Sequence, residues 1–121
     1  LGLPRIDRKN ASANFEKIND SISKVIKNKN SIMIFPEGKR SNQKDLLPFK
    51  KGAAYISKDF HLPIVPVVTH NAHNLMRKGE VWLRSGEITI EILNPIDNNE
   101  ELSVEELTTK IYNLIDEKLK F

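Results

Sequence analysis

The chain has 121 residues, 39% of them hydrophobic, with 19 Lys and Arg against 16 Asp and Glu and no cysteine. That length suits one domain or part of one, and the lack of cysteine excludes disulfides, thiolate catalysis and cysteine-ligated metals. A net charge of +3 with only 7% aromatic residues, none interleaved with the basic clusters, argues against a nucleic-acid partner.

Residues 1–8 read as a strand or strand end. A helix follows, capped by Asn10 or Ser12, with Phe15, Ile18, Ile22, Val25 and Ile26 at helical spacing and Asn28 to Asn30 as its turn exit. Residues 31–35 form a short apolar run that predicts a buried strand. A charged loop spans 36–48, and 49–60 predict a second helix with Ala53, Ala54 and Ile56 toward the core, broken by His61-Leu62-Pro63. Residues 64–69 predict another buried strand, with Pro66 tolerated only at an edge or strand end. Residues 71–86 are irregular, apart from a short strand that Trp82 and Leu83 can form, and Trp82 is assigned to the core. Ile88, Ile90 and Ile92 alternate with Thr89 and Glu91, the pattern of a half-buried strand. Ser103 and Glu106 make a capping box for a last helix, whose apolar stripe is Leu107, Ile111, Leu114, Ile115 and Leu119.

Strands alternating with helices predict an α/β layer with a mixed, mostly parallel sheet. Residues 31–35 and 64–69 are expected to be adjacent and parallel, with the 49–60 helix as a right-handed crossover. Neither apolar run approaches the ~20 residues of a spanning helix.

The informative stretch is Phe35-Pro36-Glu37-Gly38-Lys39-Arg40-Ser41, placed where an apolar run ends. Open α/β sheets put ligands beyond the carboxyl ends of their strands. Pro36 stops a ladder, Gly38 permits a tight backbone, and Arg40 offers a planar fork for phosphate or carboxylate. Glu37 is suited to hold that fork or accept a hydroxyl. By chemistry alone this is an anion-binding loop or an ordinary turn with a surface ion pair.

These seven residues resemble the F-P-E-G-x-R-S signature of the glycerophospholipid acyltransferase family. Gly2 through Ile6-Asp7-Arg8 is similar to the family's earlier G-x-x-x-I-D-R block, Phe49-Lys50-Lys51-Gly52-Ala53 to its intermediate stretch, and Pro63-Ile64-Val65-Pro66-Val67 to its later P-I-V-P-V block. The likeness spans residues 2–68. Arg5 departs from it, standing where an apolar residue is usual. The family's H-x-x-x-x-D motif has no counterpart: five residues after His61, His70 and His73 stand Pro66, Leu75 and Lys78. The resemblance therefore implies that residues 1–121 are the C-terminal part of a single acyltransferase domain. No catalytic residue is expected in this chain, and no activity from the chain alone.

The family moves an acyl group from acyl-CoA or acyl-carrier protein to a hydroxyl of a lysophospholipid. The resemblance implies 1-acylglycerol 3-phosphate as acceptor, attacked through its sn-2 hydroxyl. It also implies no cofactor beyond the thioester donor, and a place on the cytoplasmic face of the membrane, peripheral or monotopic, reached through an upstream segment. It assigns acceptor binding to Arg8, Glu37, Gly38, Arg40, Ser41 and Lys50, with Arg40 on the phosphate and Arg8 converging on the same site. Lys50 and Lys51 open a helix, whose amides favour anions, and either can contribute. The two His residues at 70 and 73, with no carboxylate beside them in the sequence, do not predict a metal. Other lyso-lipids or glycerol 3-phosphate as acceptor, and a non-catalytic module for anionic lipid head groups, are the competing readings.

Overall fold

The structure, a computed structural model, describes residues 11–41, 45–77, 79–97 and 101–120, and for 11–15 the backbone only. It divides into two compact units, Leu1–Ile34 and Phe35–Phe121.

In the first unit, helix α1 spans Ala11–Lys27. Ser12 lies inside it rather than at its cap, and Asn10 falls outside the described residues. Ile22 is buried and Ile18, Val25 and Ile26 are half-buried, so one stripe of the helix is covered. Its exit is a Schellman turn: Asn30 N donates to Val25 O (3.0 Å), Lys29 N to Ile26 O (2.9 Å), and Lys29 sits at φ 56°. The sequence marks this exit with Asn28 and Asn30. The αL position itself falls on a lysine.

The second unit orders its elements as α2 (Gly52–Phe60), β1 (Val67–His70), α3 (Ala72–Leu75), β2 (Thr89–Ile92) and α4 (Val104–Leu119). Helix α4 begins as expected. The Ser103 hydroxyl accepts from Glu106 N (3.1 Å), and Ser103 N donates to the Glu106 carboxylate (2.8 Å). Leu107, Ile111 and Ile115 are buried in one cluster with Ala54, Val68 and Ile96, and Leu107 is 0% exposed. Helix α2 starts at Gly52 rather than at residue 49, and the amide of Lys50, ahead of it, donates to Pro36 O (2.8 Å). His61, in the left-handed region at φ 52°, ends it. Ser57, a buried polar residue in α2, donates its hydroxyl proton to Leu62 O (2.6 Å).

The α/β class holds. The parallel pair does not. Strand β1 pairs antiparallel with β2, in the register Val67↔Ile92, Val68↔Glu91, Thr69↔Ile90 and His70↔Thr89. An isolated antiparallel bridge joins Ile64 to Ile96, and Pro66, which cannot donate to a ladder, separates that bridge from β1. Residues 31–35 carry no strand, and Met33 and Phe35 are 79% and 78% exposed. A short apolar run becomes a buried strand only where a ladder satisfies its backbone, and among the described residues this one has none. Trp82 and Leu83 likewise form no strand, and Trp82 is not in the core.

The alternation in β2 is inverted relative to expectation. Ile90 and Ile92 are exposed, and Glu91 is the half-buried residue. Register explains this: Glu91 stands opposite Val68, whose side chain is buried with α4, so Glu91 shares the inner face. Its carboxylate is met there by Lys118 Nζ of α4 (3.0 Å) and by His70 Nε2 (3.2 Å). Among the described residues, no helix is long and apolar enough to cross a membrane.

Two expectations follow. Leu107→Ala should cost about 2–5 kcal/mol, the range for a buried leucine truncation, read as the shift in urea unfolding. An unchanged midpoint would show that α4 does not anchor this unit. The second concerns acid. The hydrogen bonds from Lys118 and then His70 hold the Glu91 carboxyl below its ordinary 4.5. The unfolded chain therefore binds this proton first, and the stabilisation, full above about pH 4.5, is lost as pH falls through the lowered value. Glu91→Gln should flatten that part of the stability-versus-pH curve, and an equally steep acid limb in the variant would rule the pair out as its source.

Candidate functional site

The stretch 35–41 opens with a closed turn. Gly38 N donates to Phe35 O (3.0 Å), and Gly38 sits at φ 69°, a left-handed conformation costly for any residue with a Cβ. Two bonds then fasten the turn to the segment before α2. Pro36 O accepts from Lys50 N (2.8 Å), and the half-buried Glu37 carboxylate accepts from Leu47 N (3.0 Å). Glu37 thus organises the loop backbone. The alternative, a carboxylate holding the Arg40 guanidinium, is not what forms.

The segment that receives these bonds is itself anchored. Leu46 and Phe49 pack against the core, and the Phe49 ring meets Tyr112 of α4 edge-on, with centroids 5.1 Å apart. The turn therefore inherits its position from the core through residues 46–50.

This arrangement separates the two lysines that the sequence leaves equivalent. Lys51 points to α4, where its ammonium lies 2.6 Å from the Glu105 carboxylate. That hydrogen bond raises the Lys51 pKa and lowers that of Glu105. Lys50 lies over the turn: a Cβ on Gly38 would come within 2.8 Å of Lys50 Cε and 3.2 Å of its Nζ. Gly38 is required twice, once for its φ and once for the room it leaves the Lys50 side chain. Arg40, two residues on, is exposed, and its guanidinium is unpaired among the described residues. Ser41 is half-buried. Arg8 lies outside the described residues, and with it the expected convergence of two guanidinium groups.

The structure thus brings Glu37, Gly38 and Lys50 together around one turn, with Arg40 just beyond it. Two partnerships were not readable from the sequence. The Lys51–Glu105 pair joins residues 54 apart, and the Glu37–Leu47 bond crosses a polar loop; neither spacing has a local signature.

The family model described as Acyltransferase matches residues 1–70, which include the whole of this turn. The chain belongs to the acyltransferase family. Among curated proteins, this acyltransferase chain is 41% identical to a 1-acyl-sn-glycerol-3-phosphate acyltransferase of Cocos nucifera over 91% of its own length and 36% of the relative's. It is 33% identical to one of Saccharomyces cerevisiae, over 95% of its own length and 39% of the relative's. Among solved structures, it is similar to the 1-acyl-sn-glycerophosphate acyltransferase PlsC of Thermotoga maritima, with a TM-score of 0.79 at 27% identity. That match covers 89% of this chain and 44% of the other. The chain spans less than half the length of each of these three.

Removing the Glu37 carboxylate should free the Leu47 amide. In Glu37→Ala, hydrogen exchange at Leu47 N should accelerate and stability fall by about 1–3 kcal/mol, the cost of an unsatisfied donor. Glu37→Gln, which keeps an acceptor oxygen, should retain most of the protection. Equal protection in Glu37→Ala would show that the bond does not hold the loop.

Proposed function

We propose that this chain supplies the acceptor-phosphate side of a 1-acylglycerol-3-phosphate acyltransferase. The enzyme moves an acyl group from acyl-CoA or acyl-carrier protein to the sn-2 hydroxyl of its acceptor and yields phosphatidic acid. One observation carries the reading: the turn braced by Glu37 and Gly38 holds Lys50 against the same short loop that presents Arg40, whose guanidinium is exposed and unpaired among the described residues. The names of the curated relatives support this acceptor.

The chemistry divides the labour. The acceptor hydroxyl oxygen attacks the thioester carbonyl carbon, the C–S bond breaks, the thiol leaves, and a base takes the hydroxyl proton. None of the three histidines here has an aspartate five residues on, so we assign the base to a part of the enzyme other than these residues. The phosphate does not react. Holding it converts remote binding energy into orientation of the hydroxyl. A guanidinium offers two parallel donors to phosphate oxygens, and an ammonium adds a compact point charge. Arg40 takes the first role and Lys50 the second, with Arg8 as a further cation. Glu37 and Gly38 shape the loop, and Ser41 closes the stretch beside Arg40. The reaction needs no cofactor beyond its thioester donor. Because the acceptor is a membrane lipid, we place it at the cytoplasmic face, with the enzyme peripheral or monotopic.

The test is a titration of isotope-labelled chain with short-chain lysophosphatidate, followed at the amides of Gly38 and Lys50. Arg40→Ala should weaken binding by about 1.5–3 kcal/mol, the range for a hydrogen bond to a charged group. Lys50→Gln should also weaken it, and Lys51→Gln, whose ammonium serves Glu105, should not. Unmoved amides, or equal loss in Lys51→Gln, would overturn the assignment.

A further inference from the structure

Residues 75–77 and 79–86 belong to a loop whose ends are tied together and whose tip is bare. At the neck, Arg84 N donates to Leu75 O (3.1 Å), and the Leu75 side chain fills the space beside Gly86, where a Cβ would collide with Leu75 Cδ2. Asn71 Nδ2 donates to Glu87 O (2.8 Å), and Asn74 Nδ2 donates to Asn71 Oδ1 (2.7 Å). Further along, Glu80 N donates to Arg77 O (3.2 Å), and Arg84 Nη2 meets the Glu80 carboxylate at 3.2 Å. The neck is built. The three residues it presents are not packed: Val81, Trp82 and Leu83 are 91%, 82% and 77% exposed. Met76, at the start of the loop, is exposed as well.

Three consecutive large apolar side chains held in water by a pinned loop are unfavourable unless something covers them. Two observations identify the cover. Tryptophan between two aliphatic residues suits the boundary between water and lipid, where its ring is buried and its indole N–H stays hydrated. The flanks are basic: Arg77, Lys78 and Arg84 stand against Glu80 alone, which matches anionic head groups. A second copy of the chain would bring the same positive flanks, and like charges repel.

We infer that residues 79–84, with Met76 and Arg77, are a membrane-contact wedge, seating Val81, Trp82 and Leu83 at the head-group boundary of an anionic bilayer with Arg77 on its phosphates. This contact is separate from the acceptor site, and it gives the chain a hold on the membrane of its own.

The chain reports on the wedge directly, because Trp82 is its only tryptophan. The experiment mixes the 121-residue chain with vesicles of phosphatidylcholine plus phosphatidylglycerol, and with phosphatidylcholine alone, free of lysolipid and thioester. Emission should shift to the blue and acrylamide quenching should fall on the anionic vesicles. The double variant Val81→Ser, Leu83→Ser keeps Trp82 and should partition about tenfold less or weaker still, since two exposed aliphatic groups no longer enter lipid. Its circular dichroism should stay unchanged. Arg77→Gln should lose about fivefold on anionic vesicles and nothing on phosphatidylcholine. No blue shift, or partition indifferent to the double variant, would overturn the wedge. A blue shift without vesicles that grows with protein concentration would overturn it too, by assigning the tip to a second copy. A failed lysophosphatidate titration would leave every one of these readings standing.

Discussion

The second unit hangs on the burial of one helical stripe. Leu107, Ile111 and Ile115 of α4 take up Ala54 of α2, Val68 of β1 and Ile96 beyond β2 in a single cluster. Apolar burial has no direction of its own; the fixed ends of α4 supply it. The capping box fixes where the helix begins, and each later apolar residue then falls at a set height against the strands and α2. Tyr112, one residue past Ile111, meets Phe49, and through Phe49 the core reaches the segment that carries the functional turn. The loop's order is borrowed from a helix more than 60 residues away in the chain.

That borrowing shapes the electrostatics of the site. Adjacent lysines would be interchangeable on a flexible strand. Here the backbone of Lys50 is bonded to Pro36 and the side chain of Lys51 is engaged by α4, so the pair is resolved into one structural and one available ammonium. Glu37 contributes in the same way. A carboxylate beside a basic loop would compete with a bound anion; satisfied by a backbone amide, it competes less. The site is positive because Lys39, Arg40 and Lys50 outnumber Glu37, and the amide bond turns that carboxylate to the backbone rather than to Arg40.

Much of this was legible in the sequence, and the part that was not has a common cause. The α4 cap and stripe were readable because a capping box and a 3.6-residue period are local. The functional turn was readable because seven consecutive residues carry it. The strands were misread where their burial depends on partners. Residues 31–35 have the composition of a buried strand but no ladder among the described residues, and β2 shows its isoleucines outward because its register with Val68 turns Glu91 inward. Period-2 patterning says that two faces differ and leaves open which one meets the helix. Trp82 was misplaced for a similar reason: a large aromatic residue in an irregular stretch is assigned to the core by type, whereas a pinned loop neck holds it out.

The inverted β2 strand gives the small sheet two faces that answer to solvent in opposite ways. Inside, Glu91 is held by Lys118 and His70, all of them partly open to water, so dissolved ions screen that attachment. Outside, Val67, Ile90 and Ile92 lie bare, and excluded salts such as sulfate strengthen the tendency of that surface to find a cover. Rising ionic strength therefore weakens that attachment with any salt, and an excluded salt such as sulfate also makes the outer surface more adhesive. The identity of the anion, chloride or sulfate, becomes a variable of the fold itself.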